Sequence, residues 1–269
     1  GCGGAWHARA GSARRLRAAA GGRARAASSN VVAMSFLLID RPRPHVALLT
    51  LNRPERMNAM AFDVMLPLRR AIEEISVDND IRVVVLTGAG EGFCAGADQA
   101  DAAAPPHIDG LTPVTIALRA LQVLDDVMLA LRDMHQPVIG AINGAAIGGG
   151  LCLSLGCDIR VASRKAYFRA AGINNGLTAS ELGLSYLLPR AIGQARAAEL
   201  MLTGRDFDAA EAERIGLVSQ VVEPSDLLEP CYAIAEKIIG WSRPGIELTK
   251  RSLWSSLDAG SLQSHMQLE

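Results

Sequence analysis

The stretch IRVVVLTGAGEGFCAGAD (81–98) decides the fold class. Its first half, Ile81 to Gly88, is a continuous apolar, β-branched run closed by glycine. A strand with one wet face alternates apolar and polar residues. This one does not, so it reads as a strand buried on both faces, as in a parallel sheet. Its second half, GAGEGFCAGAD (88–98), is a Gly-rich loop. The same order recurs downstream. PVIGAING (137–144) is a second buried strand, IGGGLCLSLG (147–156) opens a helix after glycines, and CDIRVAS (157–163) is a third strand. Strand, Gly-rich turn, helix, strand is the signature of stacked crossover units, so an α/β fold is predicted.

Working outward, VALLTLN (46–52) reads as a strand closed by Asn-Arg-Pro, and FDVMLPLRRAIEEIS (62–76) has the apolar spacing of a helix, with Pro67 awkward inside it. Residues 101–113 hold Pro105, Pro106 and Pro113 and read as a mobile loop, and a long helix covers 114–134. From 194 onward the pattern is helical, with GLVSQVV (216–222) as a short strand. The division expected is a core over 34–222 and a helical C-terminal region over 223–269. The latter stops inside SLQSHMQLE with no helix stop signal and reads as cut within an element.

Residues 1–33 differ from the rest. They are rich in Ala, Arg and Gly and carry six Arg, no Lys and no acid, which leaves 21 basic and 28 acidic residues in 34–269, a net of -7. Three readings compete for this basic leader: a mitochondrial presequence, a basic interaction tail, or translated upstream DNA with Met34 as the true start. The cytoplasm is the expected location, and the mitochondrial matrix the alternative if the leader is a presequence. The overall charge of -1 does not point to nucleic acid, and no apolar stretch reaches the ~18–20 residues of a membrane span. Cys2, Cys94, Cys152, Cys157 and Cys231 form no CxxC pair and have no His-rich partner segment, so neither a disulfide framework nor a zinc site is expected.

Two loops carry the chemistry, GAGEGFCAGAD and NGAAIGGGL (143–151), each behind a buried strand. Glycine lets the main chain approach a ligand, and a helix starting at the second loop leaves free N–H groups at its positive end. One N–H from each loop could grip a single developing oxyanion. Nucleotide binding is disfavoured: the first loop lacks the third glycine of GxGxxG, and no Gly-Lys-Ser/Thr is present. The plain structural alternative is that the glycines only make tight turns and close packing.

At this point the sequence resembles the enoyl-CoA hydratase/isomerase, or crotonase, superfamily. The resemblance is carried by LNRPERMNAM (51–60), VVVLTGAGEGFCAGAD (83–98), QPVIGAINGAAIGGGL (136–151), CDIRVAS (157–163), LTGRDFDAAEAERIGLV (202–218) and SRPGIELTKRSL (242–253). It implies a crotonase-like ββα spiral core with a helical C-terminal region, a homotrimer or hexamer, and an acyl-CoA substrate, with coenzyme A as part of the substrate and no permanent cofactor or metal. It also implies two oxyanion donors, the backbone N–H groups of Ala97 and Gly149. The stretch Arg56-Met57-Asn58-Ala59 matches the segment lining the coenzyme A cleft, and Ala95, Asp98 and Gly148, beside the donors, are implied to bind the substrate with it. Asp98 is read as a loop brace.

The sequence departs from typical hydratases at both catalytic acids. Cys152 stands where the first Glu is expected and Gly172 where the second is. Adding water across a double bond needs a base for the water and an acid for the α-carbon. One acid remains nearby, Glu181 in GLTASELGLSYLLP (176–189), aligned with the catalytic carboxylate of isomerases of the superfamily. A single carboxylate can move a proton between carbons, and burial beside Leu177 and Leu182 would raise its pKa. Thr178-Ala-Ser-Glu181 also fits a capping box. Proton shuttling by Glu181 is the reaction expected. The alternatives are hydration by a non-standard acid arrangement and a non-catalytic acyl-CoA-binding protein.

Overall fold

The structure, a computed structural model, describes residues 32–34 and 36–267. Most of the expected leader, 1–33, and the final residues lie outside this range. The elements run β1 (Val32–Met34), β2 (Leu37–Arg43), β3 (Val46–Leu51), α1 (Phe62–Ser76), β4 (Val83–Gly88), β5 (Gly92–Cys94), α2 (Pro113–Asp133), β6 (Val138–Ile142), β7 (Ala145–Ile147), α3 (Gly149–Leu155), β8 (Ile159–Ser163) and β9 (Tyr167–Arg169). They continue with α4 (Leu184–Ile192), α5 (Gln194–Thr203), β10 (Phe207–Asp208), α6 (Ala209–Arg214), β11 (Gln220–Val222), α7 (Leu228–Ile239), α8 (Arg243–Ser256) and α9 (Leu262–Met266).

Two sheets form. The larger has the order β1-β2-β3-β4-β6-β8-β11, and the smaller β10-β9-β7-β5. From β3 onward the large sheet is parallel. Each successive turn of chain lays one strand in each sheet: β4 then β5, β6 then β7, β8 then β9. This is the ββα repeat the resemblance implies, and it puts the β4–β5, β6–β7 and β8–β9 corners together at the C-terminal end of the parallel strands.

The run read as buried on both faces is so. Val84 and Leu86 of β4 join the main core, whereas Val83 and Val85 face a smaller cluster with Leu227, Cys231, Tyr232 and Ala235 at α7. In β6, Val138 and Ile142 face the main core and Ile139 and Ala141 the smaller one. Each Val or Leu buried this way contributes about 1.5–3 kcal/mol relative to exposure. Pro67 stays inside α1.

Six strands lie outside the sequence reading, namely β2 and the short β1, β5, β7, β9 and β10. Residues 88–98 are not all loop, because β5 lies within them, and β7, β9 and β10 pair at two or three residues each. Such lengths are too short for a period-2 pattern to show.

The last described strand ends at Val222 and the elements after it are helical. α8 is pinned to the core through Lys250, whose buried Nζ donates to the carbonyl oxygens of Leu131 (3.0 Å) and Gln136 (2.9 Å) and lies 3.0 Å from Asp158 Oδ2. Asp158 also accepts from Val138 N (2.7 Å) and Trp254 Nε1 (2.6 Å). Among the described residues, no helix is long and apolar enough to cross a membrane.

Candidate active site

The site begins with the segment after β3. A single 3-10 turn, Pro54–Arg56, is followed by Met57 and Asn58, both left-handed at φ 49° and 54°. Two consecutive non-glycine residues in that region are strained, and the surroundings must hold them. Asn58 does this. It is fully buried, accepts from Arg53 N (2.8 Å), and donates from Nδ2 to the carbonyl oxygens of Ala89 (2.9 Å) and Gly92 (2.7 Å). The segment is thereby stitched to the first Gly-rich loop.

Beyond the stitch, the two strands of chain run side by side. Ala95 N donates to Met57 O (3.0 Å), Met60 N to Gly96 O (2.7 Å) and Asp98 N to Met60 O (3.1 Å). Met60 and Ala97 form a parallel bridge that uses the amides of Met60 and Asp98. The N–H of Ala97 is left on the opposite side, on an exposed residue.

The second loop meets that free side. Gly96 has φ 82°, and a Cβ there would stand 2.6 Å from the Ile147 carbonyl oxygen and 3.4 Å from Gly149 N. Only glycine allows the two loops to approach so closely. Gly149 is the first residue of α3, so its N–H has no acceptor within the helix. Gly148 is held by donating its own N–H to Arg169 O (2.8 Å). The loops therefore bring the amides of Ala97 and Gly149 into one neighbourhood, on a face covered by the buried apolar side chains of Met60 and Leu182.

Asp98 is the brace. Its side chain is 1% exposed and receives Arg56 Nη2 at 2.5 Å and Arg56 Nε at 3.2 Å, with Arg53 Nη1 at 3.1 Å. Its Oδ1 also accepts from the backbone of Ala100 (3.0 Å) and Asp101 (2.9 Å). The Arg56 guanidinium and these amides hold its carboxyl well below the usual carboxylate range. The charged end of Arg56 is thus spent on the loop, with part of its side chain still open to solvent. Ala59 is buried beneath.

Glu181 lies on the far side of Gly148. Its Oε1 is 3.6 Å from where a Cβ on Gly148 would sit, and the side chain is half-buried. Among the described residues its carboxylate has no hydrogen bond or ion pair. Burial pushes its pKa up. Its main-chain carbonyl accepts from Leu184 N (2.9 Å) and from the Cys152 thiol (3.5 Å).

Two expectations around Glu181 are corrected. No capping box forms at Thr178: α4 starts at Leu184 behind the left-handed Gly183, and Thr178 Oγ1 instead takes the Ser180 N–H (3.1 Å). Two left-handed residues, Leu182 and Gly183, break the chain between Thr178 and the helix. Leu177 does not bury Glu181, being 64% exposed, whereas Leu182 is buried as expected. At the two positions where the resemblance expects the hydratase acids, Cys152 is buried in α3 and Gly172 is buried in a 3-10 turn. A Cβ on Gly172 would come within 1.9 Å of the Thr178 carbonyl oxygen.

Sequence reasoning missed Arg53 and Met60, and at Asn58 it gave a place in the cleft lining but not the buried stitch. Nothing in RMNAM separates a stitching Asn from an ordinary turn Asn. A cleft of about 480 Å³ between the end of α2 and α8, lined by Arg132, His135, Lys250 and Trp254, shares no residue with this site.

The family profile described as Enoyl-CoA hydratase/isomerase matches residues 42–269. A probable enoyl-CoA hydratase of Mycobacterium tuberculosis is 67% identical over 236 residues, covering 88% of this chain and 83% of the relative. The crystal structure of a probable enoyl-CoA hydratase/isomerase from Mycobacterium abscessus superposes with a TM-score of 0.83 at 70% identity, covering 87% of each chain. A crystal structure described as a monofunctional enoyl CoA isomerase from M. smegmatis gives 0.75 at 62% identity, covering 87% of this chain and 99% of the other.

Proposed function

Because the chain belongs to the enoyl-CoA hydratase/isomerase family, with its crotonase-like α/β fold, we propose that it shifts a carbon–carbon double bond of an enoyl-CoA thioester by moving one proton. The acyl-CoA enzyme class is that of the family. The reaction is read from the site, and one observation carries it. Glu181 is the carboxylate beside the donor loops, while Cys152 and the closed backbone at Gly172 occupy the places of the two hydratase acids.

The chemistry follows from the placement. The thioester carbonyl oxygen sits between the N–H groups of Ala97 and Gly149. Ionised Glu181 removes a proton from C2 of a 3-enoyl thioester. The negative charge spreads onto the carbonyl oxygen, where two fixed donors in an apolar setting stabilise it. The proton returns at C4 and the double bond moves to C2–C3, with no net change in atoms. The raised pKa of Glu181 suits both halves, since it makes the carboxylate a stronger base for C2 while the protonated form can still return the proton at C4. Met57 and Ala59 would lie along the coenzyme A moiety, with Arg56 braced on Asp98. Assembly as a homotrimer or hexamer and a cytoplasmic location accompany this reading.

Mass-spectrometric product analysis on trans-2-, 3- and 2,4-unsaturated acyl-CoAs tests it. The expected result is interconversion of 3- and 2-enoyl isomers without mass gain. A product heavier by one water, formed at a comparable rate, would replace isomerisation with hydration.

A further inference from the structure

We infer that Cys152 is a positioning residue: its thiol grips the main chain at Glu181 and keeps the carboxylate beside Gly148. The inference rests on the proton-shuttle reading above. Cys152 Sγ lies 3.5 Å from the Glu181 carbonyl oxygen, the same atom that accepts the Leu184 N–H opening the turn into α4. Nothing else described fixes Glu181 from its side chain, whose carboxylate is unpaired among the described residues. The chain around it is irregular, with Leu182 at φ 50° and Gly183 at φ 78° before α4 begins. A carboxylate on such a segment needs an anchor.

Cys152 is three residues after Gly149 in α3, so donor and anchor sit on one face of a single rigid element. The helix acts as a ruler, setting the distance from oxyanion donor to carboxylate. Burial pushes the Cys152 thiol far above the working range, with Glu181 adding to the shift. The sulfur therefore remains an S–H donor and places no second charge beside Glu181. Leu182, the residue after Glu181, packs against Gly149 and reinforces the same register.

The test uses the full chain with Cys152→Ala, Cys152→Ser and Glu181→Gln, each checked by thermal melting and assayed on a 3-enoyl-CoA for kcat, KM and the pH dependence of kcat. Because a misplacement of ~1 Å can cost about 10²-fold, Cys152→Ala should lose at least about tenfold in kcat with KM within about twofold. Its acid limb should move to lower pH, as a looser Glu181 becomes better solvated. Cys152→Ser keeps a donor and should stay within about threefold of the parent. A Cys152→Ala enzyme with parental kcat and an unmoved acid limb overturns the inference. If Cys152→Ala does not fold, Cys152→Val, which fills the volume without a donor, decides by the same two readouts. The Glu181→Gln arm separates the failures. Parental turnover there removes the shuttle itself. A dead Glu181→Gln beside an unaffected Cys152→Ala removes only the positioning role.

Discussion

Met60 lies across Gly149: a Cβ added to Gly149 would fall 2.2 Å from the Met60 sulfur. The obstacle is the end of a flexible side chain, which can move. Gly149→Ala should therefore fold, with Met60 displaced over the donor. The Gly149 N–H survives the substitution, so any loss comes from the displaced Met60 crowding the thioester oxygen off that donor. As losing a donor typically costs ~10²–10³ in rate, kcat should fall by up to that order with melting little changed. Gly150→Ala should behave differently. Its Cβ would sit 1.8 Å from the backbone oxygen of Cys94, which cannot step aside, so soluble yield and melting temperature should both drop. Parallel melts and kinetics of the two variants check the contrast.

Glu181→Gln keeps the shape and removes the base. Turnover should fall by about 10²–10⁴-fold with acyl-CoA affinity retained, measured by calorimetry beside kinetics. The stability sign follows from the raised pKa of Glu181. Between the unfolded and folded pKa values the native state binds more protons, so Glu181 costs stability as pH rises through its folded pKa. Glu181→Gln should thus melt no lower than the parent at neutral pH, and relatively higher than at acid pH. A clear loss of melting temperature at neutral pH would contradict the unpaired, half-buried setting.

The pH–rate profile of the parent carries the same signature. Proton abstraction needs ionised Glu181, so kcat should climb as pH rises through a pKa above the ordinary Glu value. An acid limb at or below that value, in rates measured across pH 4–9, would count against Glu181 as the base.

Removing Asp98 takes from the buried Arg53 guanidinium its nearest carboxylate, leaving Asp101 at 3.4 Å, and frees Arg56. Because breaking a buried ion pair from one side is strongly destabilising, Asp98→Asn should lower melting by roughly 5–10 °C. The loop bearing Ala97 should loosen with it, so kcat should fall more than KM rises. With its pKa depressed, Asp98 supplies stability that is present above the ordinary Asp value and lost as pH falls through its folded pKa. Acid unfolding of Asp98→Asn should accordingly be less steep than that of the parent.

Restoring the hydratase acids should fail. Cys152→Glu places a second carboxylate against Glu181, and Gly172→Glu drives a Cβ into the Thr178 carbonyl at 1.9 Å. The double variant should show no gain in water addition to a 2-enoyl-CoA, followed by loss of absorbance of the conjugated thioester. A hydration rate rising with the second Glu would mean that the backbone at 172 yields more readily than its packing indicates.

The parts legible in the sequence were those written in long or repeated signals. The apolar run of β4 needed no context, because a strand covered on both faces must be apolar throughout. The glycines at 96 and 150 were legible as close approaches, since a Cβ at either would run into a backbone oxygen. The capping reading at Thr178 failed because local hydrogen-bonding chemistry was right but the chain turned twice more, at Leu182 and Gly183, before the helix began. Leu177 was assigned to the pocket by proximity along the chain, and proximity along a loop does not fix direction. The stitching role of Asn58 was not legible because its three partners lie 5, 31 and 34 residues away, and single-sequence patterns hold no record of such distances.

The Lys250 pin has a consequence for how the molecule comes apart. An ammonium seated among main-chain carbonyls cannot be withdrawn without leaving those acceptors dry and Asp158 short of a countercharge. Peeling α8 away is therefore no cheap fraying event. The rear of the molecule should resist amide exchange and nicking as stubbornly as the strands beneath it, and yield only when they do.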